Sequence, residues 1–287
     1  MKVSVVIDYY PLPQKKTGKH NNHHPVPVSH GETMNSIIIK YSSHPDLDNP
    51  VLIEGLPGVG NVGKLAADHL VDELKATHFA TIYSQFLPPQ VLVDDDSVIR
   101  LVSNSLYYWK STKPWQHDII FLVGDFQGIT PEGQYELAMA TVELAAEMGV
   151  NRIYTLGGYG LGKIVQEPRV LGAATDIPMV EELTEYGLEF SKSDPGSGIV
   201  GASGLLLGLG KLMGIEGACL MGETSGYFVD PAAAKAVLQI LTKILKVEIE
   251  YQKLVEKATQ IEDFHASILK DLEQNTEKSS KDLNYIG

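Results

Sequence analysis

The sequence predicts an α/β fold, a three-layer αβα sandwich in which helices cover both faces of a mostly parallel sheet. Apolar runs alternate with helical patterns from residue 36 to about residue 246, and this alternation is typical of βαβ units. Thr130-Pro131 and Asp230-Pro231 are good helix starts, because each places an N-cap oxygen before a proline at the first helical position. With 287 residues, 44% of them hydrophobic, the chain can form one large domain or two small ones.

The individual elements follow from the lengths and periods of the apolar runs. The predicted strands are Ser36–Lys40, Val51–Glu54, Phe79–Tyr83, Ile119–Val123, Arg152–Leu156 and Ala218–Met221. The predicted helices are Lys64–Leu74, Pro131–Met148, Met179–Tyr186, Gly201–Met213 and Pro231–Lys246. The stretch from residue 90 to residue 109 alternates apolar and polar residues and turns at Asp95–Ser97, so it predicts a hairpin that adds antiparallel strands at an edge of the sheet.

Charge and composition exclude several classes of function. The net charge is −13 and the basic residues form no stripe, so a nucleic-acid surface is not expected. The single cysteine, Cys219, allows no disulfide within the chain and fits a reducing cytoplasm. The most apolar long stretch, Ile199–Ile215, carries Lys211 and is short for a membrane span, so no membrane association is predicted.

The first 34 residues have a different composition from the rest of the chain. They are rich in proline, histidine, asparagine and lysine and show no sustained apolar period, so residues 1–34 are interpreted as a flexible leader to an α/β domain at 35–246. Four histidines lie in the leader, but no closed set of ligands is indicated and no metal site is predicted. They are His20, His23, His24 and His30.

A glycine-rich turn between residues 54 and 64 is the first candidate site. Gly58, Gly60 and Gly63 match the G-x-G-x-x-G dinucleotide fingerprint, and Gly58, Gly63 and Lys64 match most of a phosphate loop. Both matches are incomplete, because Leu65 replaces the magnesium-binding Ser or Thr and the next apolar run ends without the ribose-binding carboxylate. Two interpretations remain: the glycines let a helix pack closely on a strand, or the helix N-terminus binds a phosphate-type anion.

Polar residues that follow other predicted strands supply the remaining candidates. Asp125 ends one apolar run, where an NTPase keeps a magnesium-binding Asp, and Glu223 follows another. Open α/β sheets bind ligands at these strand ends, so a nucleoside- or nucleotide-binding enzyme is the alternative function. No His–Asp pair, nucleophile elbow or metal-ligand spacing is evident outside the leader, so we assign no catalytic residue and expect no cofactor.

A heptad pattern marks the C-terminal region. Ile240, Val247, Leu254, Ile261 and Ile268 recur every seven residues, with a second set of mostly apolar residues between them. This predicts a long helix that covers residues 247–274. The apolar residues of this repeat form a seam along the helix. Leu254, Ile261 and Ile268 can pack on a helix of another copy, which makes the protein a homo-oligomer. Alternatively, part of the seam can cover the subunit's own sheet.

The last residues, 275–287, form a polar tail with an apolar and aromatic end. Leu283, Tyr285 and Ile286 on such a tether have the composition of a docking peptide, and the alternative is a frayed terminus.

Four blocks of sequence, in this order, resemble the archaeal, ATP-independent proteasome assembly chaperone family. They are EGLPGVGNVGK (54–64), GDFQGITPEGQYE (124–136), TLGGYGLGK (155–163) and GASGLLLGLGKLMGIEGACLMGETSGY (201–227). The resemblance covers residues 36–250. It implies a nucleoside phosphorylase-like sandwich, a homo-oligomer that binds 20S proteasome α-subunits, and no established catalytic activity. In related docking tails tyrosine is penultimate, whereas Tyr285 is third from the end.

Overall fold

Helices are interspersed among the strands along the chain, with an uninterrupted run of strands between residues 77 and 124. The computed structural model describes residues 6–9, 36–190 and 198–256. The strands are β1 (Val6–Tyr9), β2 (Ile37–Tyr41), β3 (Val51–Gly55), β4 (Thr77–Ser84), β5 (Val91–Val93), β6 (Ile99–Leu101), β7 (Asn104–Trp109), β8 (Ile119–Gly124), β9 (Arg152–Gly160), β10 (Val170–Ala174) and β11 (Glu216–Thr224). The helices are α1 (Val62–Glu73), α2 (Pro131–Glu147), α3 (Ile177–Thr184), α4 (Ala202–Leu212) and α5 (Pro231–Leu245).

The central sheet has nine strands in the order β1-β2-β4-β7-β8-β3-β9-β11-β10. Its middle is parallel, because β8, β3, β9 and β11 run in one direction and pair side by side. Towards the other strands the pairing becomes antiparallel, as between β7 and β8 or β10 and β11. The predicted α/β class is therefore confirmed, with a sheet that is parallel at its centre and mixed towards its edges.

Helices cover both faces of this sheet, which confirms the three-layer sandwich. One face carries α1, α3 and α5, and its core includes Leu70 and Leu241, which are fully buried. The other face carries α2 and α4, and its core includes Val142 and Leu206. The two predicted proline helix starts are also confirmed, since the side chains of Thr130 and Asp230 accept hydrogen bonds from the third helical residue.

The prediction that the hairpin adds strands at a sheet edge is wrong. Strands β5 and β6 pair only with each other within the described chain and form a separate two-stranded sheet. The strand that follows, β7, lies inside the large sheet between β4 and β8. An alternating pattern indicates a half-buried strand but does not show with which strand it pairs. The pattern is therefore the same for strands at a sheet edge and for strands in a separate hairpin.

Two strands lie outside the predicted set. Strand β10 pairs antiparallel with β11 at the sheet edge. Strand β1 lies within the segment interpreted as a leader and pairs parallel with β2; residues 1–5 and 10–35 lie outside the described residues.

The long C-terminal helix is not confirmed. Helix α5 ends at Leu245, and Lys246 adopts a left-handed conformation with φ of 56° that turns the chain back. The hydroxyl groups of Thr242 and Tyr251 then lie 2.9 Å apart, and the carbonyl oxygen of Glu250 lies 2.7 Å from Nε2 of His69 on α1. The described part of the seam therefore packs on the subunit's own helices.

No helix in the described residues has both the length and the apolar character needed to cross a membrane.

Candidate functional site

The glycine-rich turn joins β3 to α1 in the middle of the parallel sheet. Gly58 is extended, Val59–Asn61 form a single 3-10 turn, and α1 begins at Val62. Gly60 has a φ of 60°, in the left-handed region that favours glycine. The backbone N–H of Asp230 donates to the carbonyl oxygen of Gly60 at 2.8 Å, which fixes the turn to the loop before α5.

Two of the three fingerprint glycines are required by close packing. A Cβ on Gly63 would lie 2.0 Å from the carbonyl oxygen of Leu156 on β9, and a Cβ on Gly60 would lie 2.8 Å from Oγ1 of Thr224 on β11. At Gly58 the closest such atom is 3.9 Å away, so a side chain fits there. The spacing of Gly60 and Gly63 is thus explained by the approach of α1 to two strands, without any ligand.

Lys64 lies on the first turn of α1 and pairs with its own helix. Its ammonium group is 2.8 Å from Oδ2 of Asp68, one helical turn further on. This position turns the side chain along the helix, whereas a phosphate-loop lysine reaches over the turn to the phosphates.

We expect Lys64→Ala to leave the binding of protein partners unchanged. We also expect no magnesium-dependent binding of ATP or GTP to the glycine turn, because Leu65 supplies no hydroxyl ligand. Isothermal titration of the wild type and the variant with Mg-ATP and Mg-GTP checks this expectation. Micromolar affinity in the wild type that disappears in Lys64→Ala would contradict it.

Asp125 follows β8 and is bound to the hairpin. Nη1 and Nη2 of Arg100 on β6 donate to the two carboxylate oxygens of Asp125 at 2.6 and 3.0 Å, and the backbone N–H of Ser103 also donates to it. Burial pushes the pKa of Asp125 upward, but the hydrogen bonds and charge of Arg100 outweigh burial and hold the pKa below its usual value. The carboxylate of Asp125, a candidate for magnesium binding by its position in the sequence, therefore holds a hairpin in place.

Glu223 near the end of β11 is also held by an arginine. Nε of Arg169 donates to its Oε2 at 3.0 Å, Nη2 of Arg169 donates to Oε1, and Arg169 in addition reaches Glu189. These contacts hold the pKa of the buried Glu223 below its usual value. The bidentate pair ties β11 to the start of β10.

Glu54 on β3 is a polar residue of the site that sequence analysis placed only in a strand. It is fully buried; its Oε1 accepts from the backbone N–H of Leu56 at 2.9 Å, and its Oε2 accepts from Oγ of Ser203 on α4 at 2.9 Å. Burial raises the pKa of Glu54 to about 7. A carboxyl in the apolar run VLIEG, directly before the glycine turn, is the signal that could have found it.

Gln127 in the loop after β8 connects the turn to α4. Its Nε2 donates to the carbonyl oxygen of Pro57 at 2.8 Å, and its Oε1 accepts from the backbone N–H of Ala202 at 2.9 Å. Glu54 and Gln127 together fix the N-terminal end of α4 against the glycine turn. Hydrogen bonds therefore connect the ends of β3 and β8 to the start of α4.

The predicted partner-binding residues are placed differently. Leu254 is 1% exposed and belongs to the core under α1 and α5, so the prediction that it lies on an intersubunit surface is wrong for this residue. The physical reason is the chain reversal at Lys246, which returns the seam to its own domain. Ile261, Ile268, Leu283, Tyr285 and Ile286 lie outside the described residues.

Comparison with known proteins gives consistent matches over this fold. Residues 52–268 match the PAC2 family. The protein MJ1210 of Methanocaldococcus jannaschii is 44% identical over 247 residues, which cover 84% of this chain and 93% of that protein.

Among solved structures, Pyrococcus furiosus PbaB, described as an archaeal proteasome activator, superposes with a TM-score of 0.79 at 43% identity, covering 82% of this chain and 99% of that chain. Pyrococcus furiosus PbaA, described as an archaeal homolog of proteasome-assembly chaperone, superposes with a TM-score of 0.68 at 27% identity, covering 84% and 97%. The family match spans most of the chain, and the relatives share its fold over nearly their whole length. The chain belongs to the PAC2 family.

Proposed function

We propose that this protein is an ATP-independent chaperone that binds proteasome α-subunits in the cytoplasm and promotes 20S proteasome assembly as a homo-oligomer. The observation that carries the proposal is the similarity to the proteasome activator PbaB, at 43% identity over 99% of that chain. The similarity to PbaA, a homolog of proteasome-assembly chaperone, supports the same role.

The geometry of the strand ends supports binding of proteins over nucleotide chemistry. Lys64, Asp125 and Glu223 are each engaged by a charged neighbour, so an enzyme would have to break these pairs to use them. Around the glycine turn the exposed side chains include Val59, Tyr159 and Tyr227. Exposed apolar and aromatic groups of this kind are typical of protein interfaces.

Two further parts of the proposal concern residues outside the described chain. Ile261 and Ile268 continue the heptad seam beyond Leu254 and are proposed as the contact between copies. Leu283, Tyr285 and Ile286 are proposed as a peptide that docks on the α-ring, with the polar segment before them acting as a tether that raises the local concentration of the peptide.

The experiment is a binding measurement on immobilised proteasome α-rings, with and without Mg-ATP. We expect binding that does not depend on ATP, and at least tenfold weaker binding by a variant that ends at Asp282, because it lacks the two large side chains of Tyr285 and Ile286. Circular dichroism and light scattering should report the same fold and mass for both proteins. Absence of binding, or binding only with Mg-ATP, would contradict the function; equal affinities would contradict only the role of the tail.

A further inference from the structure

The outer face of the β5–β6 hairpin consists of apolar side chains alone. Val91 lies opposite Leu101 and Val93 lies opposite Ile99, so the alternation of strand side chains puts all four on one face. These side chains are exposed by 45, 60, 65 and 65%, in the order Val91, Leu101, Val93, Ile99. No residue in the described part of the chain covers this face enough to bury it.

The inner face explains why the hairpin keeps this orientation. Leu92 lies opposite Arg100 and packs against the hydrophobic core, while Arg100 makes its bidentate contact with Asp125. A second contact, from Nε of Arg100 to Asp94 at 3.2 Å, closes the turn. The hairpin is thus fixed to the body through one face, and the four apolar side chains of the opposite face stay exposed.

A cavity of about 630 Å³ continues the apolar face at the base of the hairpin. Val91 and Leu101 line it from the hairpin, and Ile38 and Tyr83 line it from strands β2 and β4. Its volume is in the range of pockets that hold a small ligand or a few side chains. A protein segment that lies along the hairpin can therefore place an apolar side chain into this cavity.

The tip of the hairpin is acidic. Asp95 and Asp96 are exposed and form no ion pair within residues 36–190 or with the other described segments, whereas Asp94 is paired with Arg100. The whole chain has a net charge of −13, so a basic partner complements this tip better than a second copy does. The apolar face is also much smaller than the roughly 20–30 residues per side of a stable interface, which favours a transient contact.

We propose that the β5–β6 hairpin is a docking element for a partner protein segment that carries an apolar anchor for the cavity and lysine or arginine residues for Asp95 and Asp96. The anchor and the basic residues should lie roughly 10 Å apart, since three strand residues separate the base from the tip at ~3.3 Å each. The proposal rests on the proposed function in one respect, because proteasome α-subunits are the partner that we use as the probe.

The test compares three variants with the wild type for binding to immobilised α-subunits. Val93→Ser/Ile99→Ser makes the outer face polar, Asp95→Asn/Asp96→Asn removes the tip charge, and Ile177→Ser is the control, a 73% exposed residue at the start of α3. All are surface changes, so the folded state should persist, and circular dichroism verifies it. We expect at least tenfold weaker binding for the apolar variant, threefold or more for the charge variant with a loss of salt dependence, and no change for the control.

Each other outcome contradicts the proposal in a different way. Wild-type affinity in both hairpin variants would show that the hairpin is not a docking element while leaving the proposed function intact. A lower oligomeric mass of Val93→Ser/Ile99→Ser by light scattering would identify a second copy as the occupant. Increased protease cleavage before Ser36 in the same variant would identify the chain's own N-terminal segment. Failure of the wild type itself to bind would overturn both proposals.

Discussion

Replacing Gly63 with alanine should lower the free energy of unfolding by roughly 1–3 kcal/mol, because overpacking against a rigid neighbour typically costs this much. The added Cβ would lie 2.0 Å from the carbonyl oxygen of Leu156, a backbone atom of a central strand that cannot move aside alone. Helix propensity predicts the opposite sign, a gain of about 1 kcal/mol for alanine over glycine. Urea denaturation of the purified variant therefore distinguishes the two effects: a lower free energy of unfolding indicates a packing role for Gly63, and a higher one indicates that only helix propensity matters.

Gly58→Ala is the matched control in the same turn. Gly58 has an extended backbone, and the closest atom to an added Cβ is 3.9 Å away, so we expect a stability change within roughly 0.5 kcal/mol. A phosphate-binding loop would require both glycines for its ligand. Wild-type stability in Gly63→Ala, or a loss in Gly58→Ala as large as that in Gly63→Ala, would refute the packing explanation.

The second large effect is expected from Glu54→Gln, which should make the protein more stable at pH 8 by about 3 kcal/mol. Burial raises the pKa of Glu54 from 4.5 to about 7, so the folded protein binds a proton that the unfolded chain releases. The contribution of Glu54 to stability is thus complete below pH 4.5 and is lost as the pH rises through 7. Glutamine does not ionise, and its amide oxygen can still accept from the backbone N–H of Leu56, while its amide nitrogen can donate to Oγ of Ser203, which is the donor in the wild type.

The measurement is the urea midpoint of both proteins between pH 5 and pH 8. We expect the two curves to be closest at pH 5 and to diverge as the pH rises, with the variant above the wild type. Glu223→Gln is the control with the opposite sign: Arg169 holds the pKa of Glu223 low, so its contribution is present at neutral pH and is lost as the pH falls. Parallel curves for the wild type and Glu54→Gln would show that Glu54 does not bind the extra proton.

Local sequence patterns determined the α/β class, most strands, the five helices and two of the helix caps. The reason is that apolar period, N-cap chemistry and proline position act over a few residues, which the sequence shows directly. The four blocks, from EGLPGVGNVGK to the segment that ends at Tyr227, identified the family for a related reason, since they keep their order along the chain. The glycine turn was also located correctly, between a buried strand and a helix.

Contacts between distant residues were decided only by the tertiary structure. Arg100 and Asp125 are 25 residues apart and Arg169 and Glu223 are 54 apart, so no local pattern shows that these carboxylates are already paired. The heptad seam likewise gave no sign of the reversal at Lys246, because a seven-residue period is satisfied whether a helix continues or its chain folds back on the same core. The sequence thus determined the elements and the family, whereas the choice of neighbours, which depends on long-range packing, decided which polar and apolar groups remain accessible to a partner.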